Sequence, residues 1–229
     1  MTYFSLRKSY IYLFLFTLLM SFSLISQAQT SPTSKDFWID VANDRSDRVR
    51  TQLNSGLDPN VRTEIGNPLI MQAVRDGAWG VFDVVLAHPQ TEIDIMNGYQ
   101  ETPLMYVALV GDLERAKKLV AKGAQINHLG WTPLHYAAAK GHADVVEYLL
   151  GLGAMPNAPA PDGTTPIMMA AQTGGLTAVQ ILLKAGADPE AINLSGENAV
   201  AAAKNGGHKD LAKALSDVIS KRDAQRQSN

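Results

Sequence analysis

"GWTPLHYAAAKGHADVVEYLLGLGA", residues 130–154, holds two histidines, a tryptophan and two apolar stretches punctuated by glycine. Two readings compete for it. In one, His135 and His142 carry chemistry. In the other, the run is one unit of a scaffold and its histidines are structural. The choice turns on whether the same run returns elsewhere, because a missed repeat misplaces the whole fold.

It does return. Thr132-Pro133-Leu134 anchors the frame, with Gly141 nine residues on and Gly153-Ala154 twelve beyond that. The same frame appears as "TPLMYVALVGDLERAKKLVAKGA" from Thr102 and as "TPIMMAAQTGGLTAVQILLKAGA" from Thr165. Weaker copies start at Pro68 and Asn198, and a sixth, most eroded one starts near Lys35 with Asp44 in place of the first glycine. Successive starts are 33, 34, 30, 33 and 33 residues apart.

Each unit reads as two helices. Thr132 caps the first and Pro133 takes its first position, where no backbone donor is needed. Thr102-Pro103 and Thr165-Pro166 do the same in their units. Gly141 suits the left-handed turn that ends the first helix. The second helix places Val145, Val146, Leu149 and Leu150 on an inward face and Asp144 and Glu147 on the outward one. One unit cannot bury both apolar faces, so neighbours must stack.

On these residues the sequence resembles the ankyrin-repeat family, whose unit is about 33 residues with a Thr-Pro-Leu-His signature. The resemblance implies an all-α solenoid of about six stacked helix-turn-helix repeats over residues 35–220, joined by β-hairpin or loop fingers. Both ends look like caps. In the first unit "SDRVRTQLNS" is polar except for Val49 and Leu53. In the last, Ala199 to Ala203 replaces the bulky signature, and Lys209, Asp210 and Lys213 face outward. The polar tail 221–229 is expected to be disordered.

Residues 1–28 read as a secretory signal peptide. Arg7 and Lys8 precede an apolar run from Tyr10 to Ile25, and Ser26 and Ala28 supply the small residues before a cut between Ala28 and Gln29. Residues 29–34 would then be a linker. The alternative is an uncleaved signal tethering the protein to the inner membrane, against which the run is short and broken by Thr17, Ser21 and Ser23. A periplasmic location follows, without insertion in the membrane after cleavage.

The chain has no cysteine, so disulfides, thiolate metal sites and cysteine nucleophiles are all excluded. Removing Arg7 and Lys8 takes the formal charge from −2 to −4. An acidic product without a basic stripe is poorly suited to nucleic acid. There is no Gly-x-Ser-x-Gly elbow, phosphate loop, dinucleotide fingerprint or His-Glu-x-x-His, so no enzyme site and no cofactor is expected.

The histidines follow the repeat frame. His135 holds the fourth signature position, which in the family ties repeats together, and His142 and His208 share the turn before the second helix. Met71, Met105 and Met168 stand in the His135 position of other repeats. A Met/His file suggests soft copper ligands, but equivalent residues on stacked helices sit about 8–10 Å apart and cannot share one ion. No metal site is expected, from these residues or from His128.

The family's contact surface is its concave side, made of finger tips and the exposed ends of the first helices. Carried over, the finger positions are Glu64, Ile65 and Asn67, then Gly98, Tyr99 and Glu101. The next two fingers give His128, Leu129 and Trp131, then Pro161, Asp162 and Thr164. The helix ends are Arg75/Asp76, Leu109/Val110, Ala139/Lys140 and Gln172/Thr173. Tyr99, Leu109, Val110, Leu129 and Trp131, with Lys140 beside them, are expected to form a binding patch for a protein partner. The competing reading is that Trp131 covers the fourth finger, which the spacing of 30 shows to be about three residues short. The function expected is that of a monomeric, non-enzymatic interaction scaffold. An inhibitor or immunity-type protein that occludes a toxin or envelope enzyme is the alternative, and an enzyme with a non-obvious site is the alternative of another class.

Overall fold

The computed structural model describes residues 34–228, which form twelve helices. They pair as α1 (Lys35–Ala42) with α2 (Ser46–Asn54), α3 (Leu69–Asp76) with α4 (Trp79–Ala87), and α5 (Pro103–Val110) with α6 (Leu113–Ala121). The later pairs are α7 (Pro133–Lys140) with α8 (Ala143–Gly151), α9 (Pro166–Gln172) with α10 (Leu176–Lys184), and α11 (Ala199–Asn205) with α12 (Lys209–Gln227). First helices stack on first helices and second on second, giving a solenoid of six helix-pair repeats. The proposed signal peptide, its Ala28–Gln29 cut and nearly all of the linker lie outside the described residues.

Small residues let the first helices approach closely: Ala108, Ala137, Ala138, Ala170, Ala171, Ala202 and Ala203 are all buried. Leu104, Leu134 and Ile167, third in each threonine-proline signature, are fully buried between layers. The second helices add Val145, Val146 and Leu149 in α8 and Ala178, Val179 and Leu182 in α10. Burying a leucine or valine side chain contributes roughly 1.5–3 kcal/mol. In α2 only Val49 and Leu53 are buried, so this helix closes one end of the stack with a polar outer side.

Thr102, Thr132 and Thr165 stand at the N-cap positions of α5, α7 and α9, the Thr102 hydroxyl accepting from Met105 N, and each is followed by a buried proline at the first helical position. Gly141, at φ 70, ends α7 in the left-handed region that lacks a steric penalty only for glycine. Asp44 occupies the corresponding turn of the first repeat and adopts φ 51. Its carboxylate accepts from Gly80 N (3.1 Å) and Val81 N (2.8 Å), and so caps α4 of the next repeat.

Of the two forms expected for the fingers, hairpin or loop, the described residues show the loop, and the C-terminal tail differs from expectation. Among the described residues the fingers contain no strands, only one isolated bridge between Arg62 and Pro68. They are loops, each spanned by one backbone bond (Thr63 N to Asn67 O, Asn97 N to Glu101 O, Ala160 N to Thr164 O and Asn193 N to Glu197 O) and tightened by a second within it, such as Gly163 N to Ala160 O. The fourth finger has no counterpart of that bond, because it lacks the residues to form the turn. The difference is at the C-terminus, where α12 continues through Lys221 to Gln227 instead of giving way to a disordered tail. Alanine, arginine, glutamine and lysine favour helix there even without an apolar stripe. Arg222 Nη1 also reaches Ala187 O (3.3 Å), and Arg226 Nη1 reaches Glu190 Oε2 (3.4 Å).

A ladder of side chains links the loops behind the second helices. Asn60 donates to Gln90 O and accepts from Glu92 N; Asn127 does the same with Gly153 O and Met155 N, and Asn157 with Gly186 O and Asp188 N. Asp94 accepts from Gln125 N in the same register. These bonds satisfy loop groups that stacking would otherwise leave without partners.

Candidate functional site

The site is built where the face of first helices and fingers crosses the third, fourth and fifth repeats. Four residues after each capping threonine come Tyr106, Tyr136 and Met169, and seven after it come Leu109, Ala139 and Gln172. Positions three apart share one face of a helix, so these pairs line up along the stack. Leu109, Trp131, Tyr136, Ala139 and Met169 wall a pocket of about 200 Å³, with His135 also lining it. Trp131 is half-buried and stands edge-on to His135 (5.3 Å between ring centroids) and to Tyr136 (6.5 Å). It therefore covers the His135 clamp and walls the pocket at once.

A polar network supports the aromatic wall. Tyr136 donates its hydroxyl to Glu101 Oε1 at 2.6 Å, and Asn97 Nδ2 donates to Glu101 Oε2 at 2.7 Å. The same Asn97 amide reaches the Tyr106 hydroxyl at 3.3 Å. Burial first, and then the Glu101 charge, push the Tyr136 phenol well above its ordinary range and raise Tyr106 in the same direction. Both tyrosines stay protonated, so they act here as oriented donors and apolar walls.

His135 is fully buried beneath this wall. Its Nδ1 accepts from Thr132 N at 3.1 Å and lies 2.9 Å from Thr132 Oγ1, which leaves Nε2 to donate to Thr164 O at 3.1 Å. Burial lowers its pKa to about 4, so the neutral ring is the resident form. Met105 and Met168 reproduce half of this arrangement, their Sδ atoms accepting from Thr102 N and Thr165 N. Neither thioether can donate forward to the next repeat. His142 Nε2 bonds Leu109 O at 3.1 Å, tying the fourth repeat back to the third. Among the described residues no three His, Asp or Glu side chains are grouped to hold a metal ion.

Of the expected patch, Leu109 and Trp131 meet in the pocket, and the other members lie elsewhere. Leu129 is fully exposed on the short finger and lines a separate depression of about 490 Å³ with Met96, His128 and Met155. Tyr99 is 85% exposed on its finger, and Val110 and Lys140 point outward near the helix ends, so none of these lines the pocket. The shortened finger is the reason: without a closing turn, Leu129 is not carried over the groove. Tyr136, Ala139, Met169 and Glu101 complete the site. Tyr136 and Met169 were findable in the sequence, because they hold one frame position in adjacent repeats.

Comparison with known proteins places this geometry in context. A family model for ankyrin repeats in three copies matches residues 70–160, and one for a single ankyrin repeat matches residues 162–194. The chain is similar to ankyrin repeat and SAM domain-containing protein 6 of Rattus norvegicus, 33% identical over 118 residues, covering 47% of this chain and 13% of that protein. It is 31% identical over 113 residues to neurogenic locus notch homolog protein 1 of Mus musculus, covering 48% of this chain and 4% of that one. It is also 33% identical over 98 residues to protein phosphatase 1 regulatory subunit 27 of Mus musculus, covering 42% of this chain and 64% of the relative. In each case the match spans less than two thirds of the relative's length.

Proposed function

Because the chain belongs to the ankyrin-repeat family, whose repeats generally mediate protein–protein interaction, we propose that it is a non-enzymatic scaffold that binds a protein partner through its concave face. The observation that carries this reading is the apolar pocket walled by Leu109, Trp131, Tyr136 and Met169 across three repeats. An aromatic side chain at the centre of a groove, partly desolvated and ringed by polar groups, has the make-up of an interaction hot spot. The name of one relative, a phosphatase regulatory subunit, favours a second reading in which the partner is an enzyme that the scaffold occludes.

The proposal includes export. Residues 1–28 have the order of a cleaved signal peptide, which supports a periplasmic protein starting at Gln29. The test uses that mature form as bait on envelope extract of the source cells, beside the Trp131→Ala variant, with captured proteins quantified by mass spectrometry. A partner retained by the wild type and depleted by the variant is the expected result. Capture that is identical for the two baits overturns the concave-face reading. Turnover of a substrate by the purified chain overturns the scaffold reading altogether.

A further inference from the structure

Met96, His128 and Met155 stand in three loops, between α4 and α5, α6 and α7, and α8 and α9. All three line the one depression of about 490 Å³ at the short finger. Hydrogen bonds tie the loops into a fixed register. Asp94, two residues before Met96, accepts from Gln125 N at 3.0 Å, and Arg62 Nη1 donates to Met96 O at 2.7 Å. Asn127, next to His128, accepts from Met155 N at 3.1 Å and donates to Gly153 O at 3.0 Å. The repeat period does not keep these three residues apart. They precede the threonines of their own repeats by six, four and ten residues, so they are not stacked equivalents.

Their surroundings differ from those of the core methionines. Met71, Met105 and Met168 are buried, and the sulfurs of the last two already accept from backbone N–H groups. Met96 and Met155 are 42% and 50% exposed, so core filling does not account for them. His128 Nε2 lies 3.2 Å from Gln125 O, an atom that can only accept. In the neutral ring the proton therefore sits on Nε2, and Nδ1 keeps its lone pair. A backbone carbonyl on one ring nitrogen is also what orients a metal-ligating histidine. The rest of the lining is amide and leucine, without carboxylate, lysine or arginine.

We infer that Met96, His128 and Met155 form a site for one copper(I) ion, held by two thioether sulfurs and His128 Nδ1. Thioethers are soft ligands that select copper(I), whereas magnesium and calcium need oxygen donors. Zinc is served by thiolate, imidazole and carboxylate, and only the imidazole is present. Three neutral ligands leave the ion's charge uncompensated, which disfavours a dication more than a monocation. The three rotatable bonds of methionine let both sulfurs close on an ion held at the imidazole. This site is separate from the Trp131 pocket, so its failure leaves the concave-face reading as it was.

The test follows the methionine methyl signals of the purified full chain, labelled there with carbon-13, by NMR. Copper(I) is added as its acetonitrile complex in anaerobic buffer, and the chain has no cysteine to compete for it. The Met96 and Met155 signals should move together and saturate at one equivalent, while those of Met71, Met105 and Met168 stay in place. Met96→Leu, Met155→Leu and His128→Phe should each weaken binding about tenfold or more. The leucine variants keep the apolar bulk, so a site that used these residues only as apolar surface would not register them. Met105→Leu should bind as the wild type does, and equimolar zinc should leave the copper-bound signals unchanged. No movement at one equivalent, movement of only one of the two methyls, undiminished binding in the three site variants, or displacement by zinc would each overturn the inference.

Discussion

His135 Nε2 stands 3.1 Å from the carbonyl oxygen of Thr164, in the finger of the next repeat. The bond needs a proton on Nε2 and a free lone pair on Nδ1, which accepts from Thr132 N. Protonating the ring removes that acceptor and places a charge in the core. Burial accordingly lowers the folded-state pKa from 6.5 to about 4. Between those values the unfolded chain binds the extra proton and the folded one does not, so stability falls as pH drops from about 6.5 to about 4. The loss amounts to about 3 kcal/mol across the window. His135→Met, the residue type that fills this position in the neighbouring repeats, should flatten that slope while lowering stability at pH 7. Urea denaturation of both chains at pH 7, 5.5 and 4.5 measures it; equal slopes would overturn the assignment. Asp40, whose pKa is lowered chiefly by its bond to Arg45, acts in a different window. Its contribution is lost only as pH falls below about 4, so it does not confuse the comparison.

Asp44 does two jobs that separate on mutation. At φ 51 it pays a backbone penalty, and its carboxylate caps α4 of the following repeat through Gly80 N and Val81 N. Asp44→Gly relieves the backbone and loses the cap, a net change of about 1 kcal/mol or less. Asp44→Ala loses the cap and keeps the penalty, and should destabilise by roughly 2 kcal/mol. Asp44→Asn, which tolerates the left-handed region and retains one acceptor, should fall closest to wild type. Thermal melts of the three variants give the order, and alanine milder than glycine would contradict it.

The repeat frame made the architecture legible before any coordinate, because helix caps, terminating glycines and inward faces recur with the period. The site was legible only in part. Trp131 and Leu109 were visible as large side chains at exposed family positions. Tyr136 and Met169 read as ordinary helix residues until stacking brought three repeats side by side. Leu129 was misplaced for a local reason, since no sequence pattern shows where a finger without its closing turn will point. The end of α12 was missed because helix formers without an apolar stripe look the same as a solvated tail.

Gly206 and Gly207 are neighbours with opposite demands. Gly207 has φ 82 and open space around it, whereas Gly206 has an ordinary backbone but packs against the Gln172 carbonyl, where a Cβ would overlap the oxygen. Gly207→Ala should cost about 1 kcal/mol, from backbone strain alone. Gly206→Ala must push α11 away from α9 and should cost roughly 1–3 kcal/mol or more, as overpacked sites do. The melting temperatures of the pair decide it; a milder effect at Gly206 would mean that the last repeat shifts freely.

The export proposal makes a separate prediction. On that proposal, Arg7 and Lys8, the apolar run and Ser26-Gln27-Ala28 together would direct cleavage after Ala28. Edman sequencing of the protein from a periplasmic extract should begin at Gln29. Ala28→Leu should block processing and leave a full-length species in the membrane fraction. Recovery of the unprocessed chain from wild-type cells would replace the soluble periplasmic form with a tethered one.

Trp131 decides between a binding anchor and a cover for the His135 clamp. If it is the anchor, Trp131→Ala should weaken capture of a concave-face partner by roughly 2 kcal/mol or more, since truncation removes buried area and the exclusion of water together. Leu109→Ala should act in the same direction with a smaller effect, because both side chains wall one pocket. Leu129→Ala should be close to neutral despite being the more exposed residue, because it lines a different depression. Stability must be followed alongside binding, since a repeat array passes a local defect to its neighbours. The anchor reading requires lost binding with little change in melting temperature. If Trp131→Ala binds normally but melts early and flattens the acid sensitivity, because water reaching His135 returns its pKa toward 6.5, the ring serves to keep water from His135 and Thr164, and the partner sits elsewhere on the stack.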